Sequence, residues 1–381
     1  MNFGFTENQT MIRDSVRKFA EAELLTHFKR WDRTGEFLPQ EFLDKIIDMG
    51  LLRLRLPAQY GGQGASFVEC GIVCEEIGRC DHQIRYIISN AIHLGEMASS
   101  MAPELRDEWI PRIAGGEMMS LAFTEPGGGA DVGNMTTKAV RDGDHYVLNG
   151  EKTSITFTGV SKVVFVSART GKPGPAGISF FLVPTNTPGL TATNFERMGQ
   201  RLDRAGSFFF DNVRIPARNM IGKENTGFIW AMTIIGYNRC FVPLASLGAA
   251  QKSLEETIAY VKQRKSFGQP LSKWQAVANE LAMAATNIEA ARLLCYRGLW
   301  KKDQGLRHDE ESSMAKWWGV KTANEVIATC MRLNGHYGWS KDLPHEQRLR
   351  DCLGMESADG PREIHLGIIA RGLLGKEFAP F

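Results

Sequence analysis

The densest run of residues able to do chemistry is Thr124-Glu125-Pro126-Gly127-Gly128-Gly129-Ala130-Asp131. Glycine lets a backbone approach a flat ring or a phosphate closely and present its N–H donors. Three glycines together also make a plain turn, so the run by itself is a weak signal. It does not read as a dinucleotide fingerprint, because no strand leads into it and no helix follows. A second cluster, Cys70, Cys74, Cys80 and His82, contains metal-ligating residue types. Its spacing fits no usual zinc pattern, and Cys70 and Cys74 stand four apart on an apolar helix face. Buried core thiols are the expectation there, and no metal is expected.

The elements that position these residues fall into three zones. Residues 1–117 carry a helical period: Met11, Ile12, Val16, Phe19, Ala20 and Leu24 recur on one face, and Phe42, Ile46, Ile47 and Leu51 on another. Leu56-Pro57-Ala58-Gln59-Tyr60-Gly61-Gly62 breaks that pattern. In residues 118–226 the period changes to that of strands. Val140, then Arg141-Asp142-Gly143-Asp144, then His145-Tyr146-Val147-Leu148 predicts a hairpin, with Asp-Gly supplying positive φ angles. Asn149-Gly150 predicts a second turn. Val163–Val166, Ile178–Val183 and Phe208–Phe210 are short β-type runs. From 227 to 381 the helical period returns, and Val277, Leu281, Ala284, Ile288, Ala291 and Leu294 mark a long amphipathic helix of bundle type. The expected architecture is α+β, mainly α: a helical N-terminal domain, a middle β-barrel domain and a C-terminal four-helix bundle.

Composition narrows the function classes. The chain has 381 residues, 43% hydrophobic and 23% charged, with a formal net charge of +2. Such a balance gives no field that favours nucleic acid or an anionic membrane. No run of 18 or more apolar residues predicts a membrane span. Seven scattered cysteines, an odd number, argue against a disulfide framework, and the first residues lack a signal-peptide pattern. A cytoplasmic protein is the expectation.

Five segments then resemble the acyl-CoA dehydrogenase flavoprotein family. Leu121 to Val132 is similar to its T-E-P-x-x-G-S-D signature, and Asn149-Gly150-Glu151-Lys152-Thr153-Ser154-Ile155-Thr156 to N-G-x-K-x-W-I-T. Phe210-Asp211-Asn212-Val213-Arg214-Ile215-Pro216 matches F-D-x-V-x-V-P. Arg264 to Gln275 matches R-x-x-F-G-x-P-x-x-x-x-Q. Arg350-Asp351 and Ile368-Ile369-Ala370-Arg371 frame the C-terminal active-site segment. The segments occur in family order and span nearly the whole chain.

The resemblance implies FAD between the β domain and the C-terminal helices. Phe123, Thr124, Ala130, Ser154, Ile155 and Thr156 would lie against it. Arg264 and Phe267 would reach it from a neighbouring subunit, and Gln275, Arg332, Gly335 and Glu363 complete the implied cofactor set. An Arg donor fork suits pyrophosphate; the plainer reading of Arg264 is a surface ion pair. The implied partners are an acyl-CoA substrate, electron transfer flavoprotein as oxidant, and three further copies of the chain in a homotetramer. A carboxylate must take the α-proton. Counting from the framing motifs, the family's Glu position falls on Asp359, in Ser357-Ala358-Asp359-Gly360-Pro361. Its alternative role is to orient the turn ahead of Gly360-Pro361, and Glu356 is a reserve base. The other position used for the base in the family is Asn238 here, and an amide cannot take a proton at neutral pH. Arg239 and Gly360 would contact substrate, with Ala130.

Several positions depart from the family pattern. Ser154 stands where an aromatic is usual, Ala130 for Ser, His336 for Gly and Pro361 for Thr, so cofactor contacts are reshaped. Arg85 aligns with an arginine that holds an acidic acyl tail in glutaryl-CoA dehydrogenases and a sulfinopropionyl-CoA desulfinase. The bland alternatives are an exposed Arg or one paired to Glu76. Tyr86 and Trp339 would suit a branched or cyclic acyl group. The function implied is α,β-dehydrogenation of an acyl-CoA with a short, branched, cyclic or acidic acyl group. The alternatives are enoyl-CoA reduction, a non-oxidative elimination such as desulfination, or acyl-CoA binding without turnover.

Overall fold

The computed structural model describes residues 3–375 and 377–379. Its first zone holds α1 (Glu7–Phe19), α2 (Phe28–Thr34), α3 (Gln40–Asp48), α4 (Phe67–Cys80), α5 (Arg85–Met97) and α6 (Pro103–Ala114). Thr6 and Ser66 begin α1 and α4 with capping boxes, closed by Gln9 and Glu69. The predicted breaker is a short 3₁₀ turn, Ala58–Tyr60, between α3 and α4.

The middle zone is a sheet of β1 (Met119–Ala122), β2 (Lys138–Asp142), β3 (His145–Ile155), β4 (Val163–Arg169), β5 (Ile178–Pro184), β6 (Leu190–Asn194), β7 (Gly206–Pro216) and β8 (Met220–Ile221). Strand order is β6-β7-β3-β2-β4-β5-β8, with β1 paired in parallel to β4. β4 and β5 are buried along nearly all their length, and their Val, Ile and Phe side chains fill both faces. Three local expectations are corrected here. In the β2–β3 hairpin only Gly143 has positive φ: Asp142 pairs with His145, so the loop is Gly143-Asp144, with glycine at the first central position as in the two-residue turn that needs positive φ there alone. Asn149-Gly150 makes no turn: β3 runs through it, and Gly150 (φ 147°) marks a register shift against β7. A strand, β1, does lead into the glycine-rich run, but a 3₁₀ turn, Val132–Asn134, follows it instead of a helix.

The last zone contains α7 (Gly227–Gln263), a two-strand hairpin (Lys265–Ser266 with Gln269–Pro270), α8 (Gln275–Asp303), α9 (Asp309–Leu333), α10 (His336–Trp339), α11 (His345–Leu353) and α12 (Arg362–Leu374). Among the described residues α7 is the one helix long and apolar enough on average to cross a bilayer, although Asn238 and Arg239 interrupt it so that no unbroken apolar run of 18 exists; over half of that window is packed inside the protein. The cause is its place at the centre of the bundle, against α4, α8 and α9. Gly78 on α4 and Gly248 on α7 bring the two helices together backbone to backbone: a Cβ on Gly78 would lie 2.3 Å from the Ala245 carbonyl oxygen, and one on Gly248 2.2 Å from that of Glu75. A single apolar core therefore runs from α1 through α5 into α7, α8 and α9, and a second fills the sheet. Cys70, Cys74 and Cys80 are buried free thiols on α4, and His82 bonds Ser246 at 3.1 Å.

Candidate active site

A cleft of about 1030 Å³ opens between the sheet and the helices. On the sheet side it is lined by Phe123, Thr124, Gly129, Ala130 and the Ser154-Ile155-Thr156 end of β3. On the helical side stand Tyr86 and His93 of α5, Asn238 and Arg239 of α7, and Met355, Asp359 and Gly360 of the loop between α11 and α12.

Local chemistry fixes the sheet-side wall. The Thr153 N–H donates to the Thr124 carbonyl at 2.9 Å, which ties the end of β3 to the segment after β1. Beneath it, the fully buried Lys152 ammonium donates to the Phe123 carbonyl at 3.0 Å and to Glu125 at 2.9 Å. Burial pushes the Glu125 carboxyl up, but the Lys152 ammonium and the bonds from Thr136 outweigh it and hold it at about 2. Burial lowers Lys152 to about 8, so both groups are charged at neutral pH. Ser154 itself is left-handed (φ 59°), a conformation that costs a non-glycine residue roughly 1–2 kcal/mol. Phe123 stacks on Phe180, which in turn meets Trp230 of α7 at 4.7 Å between ring centroids.

Asp359 anchors the opposite wall. Asn238 Nδ2 donates to its Oδ2 at 2.6 Å, and Arg239 Nε donates to its carbonyl at 3.2 Å. Asp359 (φ 54°) and Gly360 (φ 104°) are consecutive left-handed residues, which turn the chain sharply before Pro361 starts α12. The Gly360 carbonyl accepts from His365 Nε2 at 3.0 Å. Glu356 is directed elsewhere: its Oε1 accepts from Asn324 Nδ2 at 2.8 Å, and it does not line the cleft. The geometry thus ranks Asp359 over Glu356 as the group able to meet a ligand.

Arg85 is 0% exposed, so neither bland expectation for it holds; Glu76 is taken by Arg17. Its guanidinium lies 4.1 Å from the Tyr86 ring centroid and 3.8 Å from Met355 Sδ, behind two residues that line the cleft. Its Nε and Nη1 find no acceptor among the described residues. His93, beside it, is pushed to about 3 by burial and then by Arg85, so it stays neutral.

The structure brings Phe123, Thr124, Ala130, Ser154, Ile155, Thr156, Arg239, Asp359 and Gly360 to one cleft. It does not bring Arg264, Phe267, Gln275, Arg332, Gly335 or Glu363 there; all six are exposed on the chain. Arg264 has no ion pair among the described residues, so its surface-pair reading is not what is observed. Phe267, on the hairpin after α7, is 92% exposed and left-handed. Trp339 is also exposed and lies outside the cleft, because α10 turns it outward. Met355, Arg197 and Phe195 line the cleft without having been singled out. Nothing in their local sequence marks them; they arrive through loops fixed at long range, such as Gln200 N–H on the buried Asp351 carboxylate at 2.5 Å.

The cleft fits a large flat cofactor. Its sheet-side wall is a stretch of exposed backbone held rigid from beneath, with a wide pocket and aromatic neighbours. The buried Asn238 Oδ1 has no partner among the described residues. Residues that would hold FAD are Phe123, Thr124 and Ser154-Ile155-Thr156.

Comparison with known proteins agrees. Sequence models of the acyl-CoA dehydrogenase N-terminal, middle and C-terminal domains match residues 6–117, 120–213 and 225–374. The chain is 35% identical to a probable acyl-CoA dehydrogenase, YngJ, of Bacillus subtilis, over 98% of this chain and all of that one. It is 34% identical to the caffeyl-CoA reductase-Etf complex subunit CarC of Acetobacterium woodii, over 98% and 100% of the two chains. A glutaryl-CoA dehydrogenase of Mycobacterium smegmatis, solved in complex with FADH2, superposes with a TM-score of 0.91 at 29% identity, covering 99% of this chain and 96% of that one. On fold, site and sequence together, this chain belongs to the acyl-CoA dehydrogenase family.

Proposed function

We propose that this enzyme catalyses α,β-dehydrogenation of an acyl-CoA thioester, with Asp359 as the base that takes the α-proton. The observation that carries the reading is the Asp359 carboxylate, held by Asn238 in the cleft that Phe123, Thr124 and Ser154-Ile155-Thr156 share. FAD, when bound, supplies the acceptor for the β-hydride. Asn238 orients the base, and the packed apolar walls keep water from the reacting carbon. Arg239 and Gly360 lie where the thioester arm would pass. Electron transfer flavoprotein is the expected oxidant.

Arg85 narrows the acyl group. A buried guanidinium with two idle donors carries an uncompensated desolvation penalty of several kcal/mol. An acyl tail ending in a carboxylate or another strong acceptor would offset it, which favours an acidic or polar-tailed substrate over a plain alkyl chain. Enoyl-CoA reduction is a second reading, favoured by the 34% identity to the caffeyl-CoA reductase subunit; there Asp359 would give the proton back.

Assembly and location complete the proposal. The exposed Phe267 and Arg264 support a homotetramer in which a neighbouring copy brings them to the cofactor. Seven buried, unbridged thiols support a reducing, cytoplasmic setting.

The test is anaerobic titration of the flavin-loaded protein with straight, branched, cyclic and dicarboxylic acyl-CoAs, read by bleaching of the visible flavin band. Bleaching by one class establishes dehydrogenation and names the acyl group. No bleaching by any of them would overturn the dehydrogenase reading, and Asp359→Ala turning over like the native enzyme would overturn the base.

A further inference from the structure

Behind the Asp359 loop lies a buried lysine that the proposed chemistry does not use. Lys316, on α9, is 1% exposed. It forms no ion pair among the described residues; its Nζ donates to two backbone carbonyls, Gly360 at 3.4 Å and Glu356 at 3.5 Å. Burying an ammonium whose hydrogen bonds go only to two carbonyls, with the nearby carboxylates not in contact, is unfavourable, and a Met would fill the same space at lower desolvation cost. The two carbonyls bracket Asp359 in sequence.

The rest of this face of α9 points at the same loop. Val320, one turn on, is buried with Met355 and Val242. Asn324, a further turn on, donates to Glu356 Oε1 at 2.8 Å. Residues 316, 320 and 324 share one helix face by the four-residue spacing. The loop they hold contains Asp359 in the left-handed region, which for a non-glycine residue costs energy that its neighbours must offset.

We propose that Lys316 is a positioning residue that clamps the Asp359 loop through the Glu356 and Gly360 carbonyls and keeps a positive charge behind the base. The proposal rests on the reading of Asp359 as base. The ionisable groups that bear on Lys316 are Asp359 and Glu356 in the loop, Arg239 on α7, Arg85 on α5 and His365 on α12. Burial lowers the ammonium to about 8, with Asp359 opposing the fall. His365 is pushed to about 3 by burial, then by Arg239 and Lys316, so it does not titrate with it. The clamp is therefore charged below about pH 8 and loses its charge above it.

Flavin-loaded Lys316→Met, Lys316→Gln and Lys316→Arg are compared with the native enzyme for kcat, KM and pH profile. In K316M and K316Q kcat falls about tenfold to a hundredfold, the range for a reacting group displaced by an ångström, with KM near native. The native kcat profile has an alkaline limb near pH 8; K316M and K316Q lack it, and K316R recovers kcat at pH 7 with the limb moved upward. Native kcat and an unchanged limb in K316M overturn the clamp. If neither neutral variant holds flavin, the native profile decides: no ionisation between pH 7 and 9 overturns the clamp equally. Asp359→Ala separates the two readings, since an active D359A sinks the base, whereas an inactive D359A beside a native-like K316M sinks only the clamp.

Discussion

Asn238 and Asp359, 121 residues apart, meet through a 2.6 Å hydrogen bond from an amide nitrogen to a carboxylate oxygen. In the proposed reading Asp359 is the base, and the Asn238 amide is the donor that orients it. Replacing Asn238 by Asp would set two carboxyls against each other, and such a pair shares one proton. The acid limb of the N238D kcat/KM profile should move up by about one pH unit or more. An unmoved limb, with flavin content native, would remove Asn238 from contact with the base.

Arg85→Met should change substrate preference more than activity. Acyl-CoAs with a terminal carboxylate lose about a hundredfold in kcat/KM, in line with removal of a buried charged partner worth about 2–5 kcal/mol. Butyryl-type thioesters lose little, and thermal stability holds or rises because an unpaired buried cation has been removed. Equal losses on both substrates would show Arg85 to be structural.

The buried Lys152–Glu125 pair supports the sheet-side wall of the cleft, where FAD is proposed to lie, through the Phe123 carbonyl. Lys152→Met strands a buried carboxylate and should destabilise the protein by about 3–5 kcal/mol, with flavin lost earlier in a thermal ramp. Adding Glu125→Leu should recover much of that stability. A single variant that melts with the native protein would refute the support role.

Asp81, at the end of α4, gives a pH signature. Burial raises its carboxyl to about 7, and its Oδ2 has no partner among the described residues. The folded state thus holds a proton that the unfolded chain releases near 3.8, and its contribution is complete at low pH and lost as pH rises through about 7. Asp81→Asn keeps an acceptor for the Gln83 N–H, bonded at 2.8 Å in the native chain, and cannot ionise. Its melting temperature should exceed that of the native protein at pH 8, by a margin that shrinks as pH falls and closes only below about 3.8, where the unfolded chain is protonated too. Parallel curves across that range would contradict the assignment.

Much of this architecture is legible in the residues. The change from a 3.6-residue to a two-residue period, and back at Gly227, separates helix from sheet. Motif order carried Asp359, Arg239 and the Phe123–Thr124 and Ser154–Thr156 segments to one cleft. Local turn chemistry was less decisive: Asn149-Gly150 suits a tight turn and a β-bulge alike, and pairing with β7 selects the bulge. Residue type alone lets Arg85 be exposed or paired to Glu76 as readily as aimed at a ligand, because its burial depends on Tyr86 and on Met355, 270 residues away. Lys316 gives no local signal at all. A lysine in a helix is ordinarily solvated, and only the return of the chain at residues 354–360 covers this one.

The close approach of Gly78 and Gly248 has a mechanical consequence. Where two helices touch through their backbones, no side chain is available to slide or re-pack, so α4 and α7 behave as one beam. The first and last thirds of the chain are joined along it. The same seam denies either helical region an independent existence: a fragment ending before α7 would expose the groove that Gly248 fills, and its α4 would have nothing to lean on.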